Sequence, residues 1–130
     1  MYLLDTNILI YFFKGIGNVP DRLLSLSPKD ISIAAITLFE LEVGIAKSNN
    51  PDQRKKQLEA LISRIKVIPF AAKEARAAAM IRADLESKGT PIGPFDTLIA
   101  GTAMSENATL VTHNTKEFKR VNELIIEDWY

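Results

Sequence analysis

The segment Leu3-Leu4-Asp5-Thr6-Asn7-Ile8-Leu9-Ile10 places one carboxylate between a short apolar run and a helical pattern. The run Met1–Leu4 predicts a strand, and Thr6 or Asn7 can cap a helix that continues through Phe13. Asp5 would then lie at the carboxyl end of the first strand, where open α/β sheets bind ligands. Taken alone, Asp5 equally fits an ordinary turn or capping aspartate, so its meaning depends on the rest of the chain.

The composition indicates one globular domain over residues 1–130 and restricts its chemistry. No apolar run approaches the ~18–20 residues of a membrane span, and the start lacks the pattern of a signal peptide. We therefore expect a cytoplasmic protein that does not associate with membranes. With no cysteine and one histidine, thiolate and zinc sites are not expected. Any metal site would use oxygen ligands, which favours Mg²⁺ or Mn²⁺. The net charge of zero is neutral evidence about a nucleic-acid partner.

Short apolar strands alternate with helices along the chain. The predicted strands are 1–4, 31–33, 66–68, 109–112 and 124–126. Helices are predicted between them, the last long one from about Pro94 to Glu106. Its predicted inner stripe is Phe95, Leu98, Ile99, Thr102 and Ala103. The alternation predicts an α/β fold with a parallel sheet covered by helices on both faces.

Four polar residues fall where strands end or along helices that run back from that edge. They are Asp5, Glu40, Asp96 and Asn114. Singly, each has an ordinary reading: a turn aspartate, a surface ion pair, a helix-start aspartate and an Asx turn. Residues just past the carboxyl ends of parallel strands converge on one rim, so we expect these four to lie together.

Glu40 is the residue whose ordinary explanation is weakest. It has no basic residue three or four positions away, so a local helical ion pair is not available. Gly44 lies one turn further on the same helix face, although glycine in a helix interior costs about 1 kcal/mol relative to alanine. This suggests that something must approach closely there. Glu42 lies about 200° around the helix from Glu40 and cannot face the same pocket.

Several carboxylates in a small volume repel one another strongly unless a cation is present. Such a cluster indicates a Mg²⁺ or Mn²⁺ site, and hydrolysis of a phosphodiester by metal-activated water is its usual use. Glu117, one turn after Asn114, could add a carboxylate or simply be a solvated residue. His113 is a poor candidate for a general base because a single loop histidine is more often a bystander.

The chain resembles a PIN-domain ribonuclease, and specifically a VapC-type toxin of a bacterial toxin–antitoxin pair. The resemblance spans essentially the whole chain. Its four motifs keep the family order and lie at Leu4–Asn7, Glu40–Gly44, Pro91–Asp96 and Val111–Phe118. It implies a three-layer α/β/α sandwich with a central parallel sheet of about five strands.

The resemblance also implies roles for these residues. Asp5, Glu40 and Asp96 would be the acidic metal ligands and, with Asn114, the catalytic set. Thr6 and Thr112 would be hydroxyls that orient ligands or water. Many family members carry aspartate in place of Asn114, and an amide there should weaken a second metal site more than the first. Glu117 and Asn7 are further candidates.

The resemblance further implies a Mg²⁺-dependent endoribonuclease, with Mn²⁺ as a possible substitute, leaving a 5′-phosphate and a 3′-hydroxyl. It implies a homodimer, with higher assembly when a VapB-type antitoxin is bound. That antitoxin would cover the active-site groove with its C-terminal segment. The Gly93–Asp96 loop and the ending Glu127–Trp129 resemble the subgroup that cuts initiator tRNA, so tRNA is the expected substrate.

Three alternatives concern the same residues. An inactive PIN domain that only binds a partner stays open because of Asn114. A receiver-type phosphoacceptor would need an acidic pair after the first strand and an Asp after the third, and Lys66–Phe70 contains none. A haloacid-dehalogenase-type phosphatase would need an Asp two residues after Asp5, where the chain has Asn7.

Overall fold

A five-stranded parallel sheet forms the centre of the molecule. The computed structural model describes residues 1–130. The strands are β1 (Tyr2–Leu4), β2 (Ile31–Ala34), β3 (Lys66–Ile68), β4 (Thr109–Val111) and β5 (Ile126–Glu127). Their order is β3-β2-β1-β4-β5, and every neighbouring pair is parallel. The predicted parallel sheet of about five strands is confirmed.

Seven α-helices and one short 3₁₀ turn (Pro28–Asp30) connect the strands. The helices are α1 (Thr6–Lys14), α2 (Val19–Leu24), α3 (Ala35–Ala46), α4 (Pro51–Ile62), α5 (Ala72–Ser87), α6 (Pro94–Ser105) and α7 (Thr115–Phe118). None of these helices combines the length and apolar character that crossing a bilayer requires.

The helices cover both faces of the sheet, and strand alternation sorts the core into two clusters. Leu3 belongs to the cluster that contains Ile81 of α5 and Ile99 of α6. The next residue, Leu4, belongs to the cluster that contains Ile8 of α1 and residues of α2, α3 and α4. Adjacent residues of one strand thus serve opposite layers, which confirms the three-layer α/β/α sandwich.

The strand order reverses beside β1. The chain runs from β1 outward through β2 and β3, and then returns to the other side of β1 for β4 and β5. A crevice forms at such a switch point, outside the carboxyl ends of the strands, and ligands of open α/β sheets bind there. The Asp5 amide donates to the Val111 carbonyl at 2.9 Å, so pairing of β1 with β4 continues to this edge.

Helix α6 carries Asp96 in its first turn, and a close contact with α5 fixes its position. A Cβ added at Gly101 would lie 2.6–2.7 Å from the Cβ, Cα and amide nitrogen of Ala78. Such distances are impossible, so the two helix backbones approach as closely as they do only because residue 101 is glycine. This contact holds α6 in place behind the edge of the sheet.

The predicted inner stripe of α6 is only partly correct, because Leu98 is partly exposed and the first residue, Phe95, is more so. Ile99, Thr102 and Ala103 are fully buried, whereas Phe95 is 44% exposed. Helix α6 runs antiparallel to the strands, so its first turn stands at the carboxyl edge, where the sheet no longer covers it. Phe95 instead packs edge-on against the exposed Phe39 of α3, with ring centroids 5.8 Å apart.

Candidate active site at the carboxyl edge of the sheet

Asp5 is the most firmly held acidic residue of the edge. It is 5% exposed and lies directly after β1. One carboxylate oxygen accepts a hydrogen bond from the Thr6 amide at 2.7 Å, and the other accepts one from the Thr112 hydroxyl at 2.9 Å. The prediction that Thr6 or Asn7 caps α1 is therefore wrong. Asp5 is itself the capping residue, because its side chain satisfies an otherwise free amide of the first turn.

Thr112 links Asp5 to the turn that carries Asn114. Its fully buried hydroxyl donates to Asp5 and accepts a hydrogen bond from the Asn114 amide at 3.0 Å. A residue at the end of β4 thereby fixes one at the end of β1. The resemblance implies an orienting role for Thr112, and that role stays a prediction beside these two hydrogen bonds.

Thr6 plays the matching part on the other side of Asp5. Its hydroxyl donates to a carboxylate oxygen of Glu40 at 2.7 Å and lies 3.3 Å from the hydroxyl of the fully buried Thr37. Sequence reasoning missed Thr37, although its place one turn before Glu40 on α3 was a usable signal. Glu42, by contrast, pairs with Lys55 of α4, so the surface ion pair belongs to Glu42 and not to Glu40.

Asp96 is half-buried, and its charge is the least compensated in the site. Burial, and to a smaller extent the charges of Asp5, Glu117 and Glu40, raise the pKa of Asp96 to about 6. Burial also raises the pKa of Asp5, with Glu40 adding to it, while the hydrogen bonds from Thr112 and Thr6 oppose the rise. Carboxylates from four separate elements thus repel one another across one small region.

Asn114 and Glu117 form the remaining side of the site. The Asn114 side-chain amide donates to a carboxylate oxygen of Glu117 at 3.1 Å. Glu117 therefore joins the acidic group, as its influence on Asp96 also indicates. Asn7 is exposed and makes no side-chain hydrogen bond with these residues, so the structure does not bring it into the group. His113 is engaged elsewhere, stacked on Tyr130 at 4.1 Å and 3.0 Å from Asp128.

The chemistry of this set suits a hard divalent cation. Its donors are carboxylate and amide oxygens. Burial and then the repulsion between carboxylates raise the pKa of Asp96, and a bound cation would offset both by stabilising the charged form. As the side chains stand, no three of the acidic groups are placed to hold one ion together. Joint coordination would therefore require side chains of this edge to turn inward.

The matches to known proteins extend over nearly the whole chain. Residues 2–124 match the PIN domain. The chain belongs to the PIN-domain family. It is 44% identical to Ribonuclease VapC2 of Rickettsia felis, covering 99% of this chain and 98% of that protein. It is 40% identical to the tRNA(fMet)-specific endonuclease VapC of Shigella flexneri, covering 98% and 97%.

A solved structure agrees with these matches. The crystal structure of VapBC2 from Rickettsia felis, bound to a DNA fragment from its promoter, superposes on this PIN domain with a TM-score of 0.92. The sequence identity there is 42%, and the match covers 99% of this chain and 98% of that one. Within the family, the chain thus belongs to the VapC group.

Proposed function

We propose that this PIN domain is a metal-dependent endoribonuclease and the toxin of a toxin–antitoxin pair. The observation that carries the proposal is the acidic group at the carboxyl edge. Asp5, Glu40, Asp96 and Glu117 come from four parts of the chain, and burial together with the charges of the other three raises the pKa of Asp96 to about 6. A folded chain has little reason to gather such repelling charges unless they bind a cation.

Asp5, Glu40 and Asp96 are the proposed metal ligands, and Asn114 completes the catalytic set. Mg²⁺ is the proposed ion, and Mn²⁺ can replace it because both prefer oxygen ligands. When bound, the metal supplies an activated water and charge stabilisation for phosphodiester hydrolysis.

The chain's own contribution is to hold the ligands in a fixed arrangement. Thr6 and Thr112 act as orienting residues, because their hydrogen bonds set the direction of the Asp5 and Glu40 carboxylates. Glu117 holds the Asn114 amide in place. The Asp96 carboxylate accepts no hydrogen bond, so it is free to take up a proton or a cation according to conditions.

Transfer RNA is the proposed substrate class, and initiator tRNA the particular candidate. The support is the 40% identity to the Shigella flexneri protein, which is named as tRNA(fMet)-specific. Reaction on tRNA would take place in the bacterial cytoplasm. The proposed partner is a VapB-type antitoxin, because similar structures are VapBC complexes over 98–99% of the chain.

A homodimer is the proposed assembly of the free toxin. Phe39, Val43 and Phe95 are 53%, 37% and 44% exposed and lie next to one another, and contiguous exposed apolar residues mark interaction surfaces. Phe39 and Val43 lie one turn apart on α3, and Phe95 touches Phe39. Sedimentation velocity of the wild type and of Phe39→Glu tests this, because a charge in the interface should yield monomers.

The decisive experiment is incubation of the purified, antitoxin-free protein with total RNA in Mg²⁺, in Mn²⁺ and in EDTA, with Asp96→Asn alongside. Discrete cuts that need metal and vanish in the variant support the proposal, and mapping their ends identifies the substrate. Cleavage that survives both EDTA and the substitution indicates a contaminating nuclease.

A binding-only PIN domain is the second candidate. The neutral Asn114 and the absence of three acidic groups positioned around one point favour it. It predicts that the folded protein cleaves no RNA at any metal concentration, while still forming a complex with its antitoxin.

A further inference from the structure

A groove runs beside Glu40, between helices α1, α3 and α4, and no step of the proposed hydrolysis uses it. Its volume is about 220 Å³. Phe13 and Ile45 contribute to its apolar wall, and Glu40 is the one residue of the acidic group that lines it. Sites for drug-sized ligands occupy roughly 300–1,000 Å³, so this groove suits a smaller group such as one nucleobase.

Gly44 keeps the groove open. A Cβ added there would meet no atom within 4 Å, so no part of this chain needs residue 44 to be glycine. Its φ is also unremarkable, because it is not among the glycines with positive φ. Glycine inside a helix costs about 1 kcal/mol relative to alanine, so the close approach that its position suggested must come from another molecule.

Two cations at the rim have no acidic partner. Lys14 and Arg54 line the groove, and neither takes part in the ion pairs of the structure. Lys14 lies in the last turn of α1, where the helix dipole favours a cation. Arg54 lies near the start of α4, where the dipole disfavours one, so the helix itself does not explain it.

We infer that this groove is a subsite for one nucleotide of the RNA substrate, which rests on the proposed ribonuclease function. The base packs on the apolar wall near Phe13 and Ile45. The adjoining phosphate lies against Lys14 and Arg54, whose charge is complementary to it. Glu40 joins this subsite to the acidic site, so the nucleotide is close to the scissile bond.

The subsite selects unpaired RNA. A base can enter an apolar groove only when it is unstacked and free of its partner strand, as in loops and bulges. The side chain of a bound antitoxin peptide is the competing occupant. The phosphate-complementary cations favour the nucleotide, and the experiment below separates the two.

The test is an RNA oligonucleotide that carries the mapped cleavage site, together with versions lacking the base at each flanking position in turn. For the wild type, removing the base at one position near the cut should raise KM by about 5-fold to 100-fold, as expected for a lost stacking contact. Gly44→Leu fills the groove and should raise KM for the intact RNA by a similar factor, with kcat little changed.

The two losses should not add. In Gly44→Leu, removal of the same base should have almost no further effect, since its site is already filled. Ala46→Leu is the matched control, because it adds the same side chain to an exposed position of α3 outside the groove. Thermal melting of both variants verifies folding, and leucine in place of glycine favours the helix.

The charge contribution is measured separately. Lys14→Ala and Arg54→Ala should each lower the salt dependence of RNA binding by about one counterion, measured in an Asp96→Asn background that does not cut. The inference is overturned if wild type cleaves RNA while Gly44→Leu matches it in KM, or keeps the full penalty for the missing base. It is also overturned if Gly44→Leu weakens only antitoxin binding.

If the wild type cleaves no RNA, the proposed ribonuclease function fails, and the subsite inference fails with it.

Discussion

Asp5 and Asp96 bring the same functional group to the same edge, but the chain holds them in opposite ways. Asp5 is 5% exposed, and each of its oxygens accepts a hydrogen bond from a neutral donor. Asp96 is half-buried, and only burial and the charges of three other carboxylates affect its pKa, which rises to about 6.

The comparison extends to their neighbours and divides the site in two. The fixed half consists of Asp5 with Thr6, Thr112 and Glu40, joined by hydrogen bonds of 2.7–2.9 Å. The open half consists of Asp96, Asn114 and Glu117, in which a hydrogen bond joins Asn114 to Glu117 but the Asp96 carboxylate accepts none. The hydrogen bonds of the fixed half set where a cation would bind, and the cation would in turn fix the carboxylates of the open half.

Asp5→Asn and Asp96→Asn provide the largest expected effects. Either change should reduce metal-dependent cleavage by more than the ~10–100-fold typical of residues that only support a ligand. They should differ in stability. Asparagine at position 5 keeps one oxygen acceptor for the two donors Thr6 and Thr112 and turns an NH2 group towards the other, whereas asparagine at position 96 removes a repelling charge. Single-turnover cleavage and thermal melting measure the two effects, and equal stability changes would contradict the division.

Thr112→Val tests the fixed half without touching a carboxylate. It leaves an Asp5 oxygen and the Asn114 amide without their partner. We expect about a 10–100-fold loss of metal affinity or cleavage, as for other residues that orient ligands. Thr112→Ser should restore most of it because serine keeps the hydroxyl. A Mn²⁺ titration of cleavage checks this, and a serine variant as weak as the valine variant would indicate a packing effect.

The sequence predicted the meeting of the strand ends better than the way each side chain is held there. Asp5 and Asn114 follow strands that proved to be neighbours in a parallel sheet, so their proximity followed from the fold class. The hydrogen bond that holds the second oxygen of Asp5 did not, because its donor, the Thr112 hydroxyl, lies 107 residues away. For the cap of α1, local propensity favoured Thr6 or Asn7 as well as Asp5.

Two other features show the same limit. Helical periodicity placed Phe95 on the inner face of α6, but periodicity carries no information about where the sheet ends. Nothing local marked Gly101 as essential, since its need arises from contact with Ala78 on another helix. Distant partners decide such details, whereas strand and helix identity is largely decided nearby.

Asn114→Asp sharpens the comparison by adding a charge to the open half. A further carboxylate should lower the metal concentration for half-maximal cleavage by roughly 5-fold, the factor for the ~1 kcal/mol attraction of unit charges 4 Å apart in water. Thr112 still accepts from the backbone amide of residue 114, so the fixed half should be unaffected. Cleavage as a function of Mg²⁺ concentration measures this. A higher metal requirement would instead mean that the amide contact with Glu117 matters more than charge.

The smallest expected effect is the pH dependence of stability in metal-free protein. The pKa of Asp96 is raised from 3.8 in the unfolded chain to about 6 in the fold, so the folded state binds more protons between these values. Stability should therefore fall as pH rises from about 4 to 6 and then level off. The full shift corresponds to about 3 kcal/mol at 1.36 kcal/mol per pKa unit, and solvent near a half-buried group reduces the expected loss to roughly 1–2 kcal/mol.

Urea unfolding in EDTA from pH 4 to 8 measures this loss of stability, and in Asp96→Asn the decline should be flatter. Asp5→Asn should flatten it less, since hydrogen bonds already counter the rise in the pKa of Asp5. If the free energy of unfolding of Asp96→Asn still falls between pH 4 and 6, a group other than Asp96 causes the fall, and the distinction between a fixed and an open half loses its physical basis.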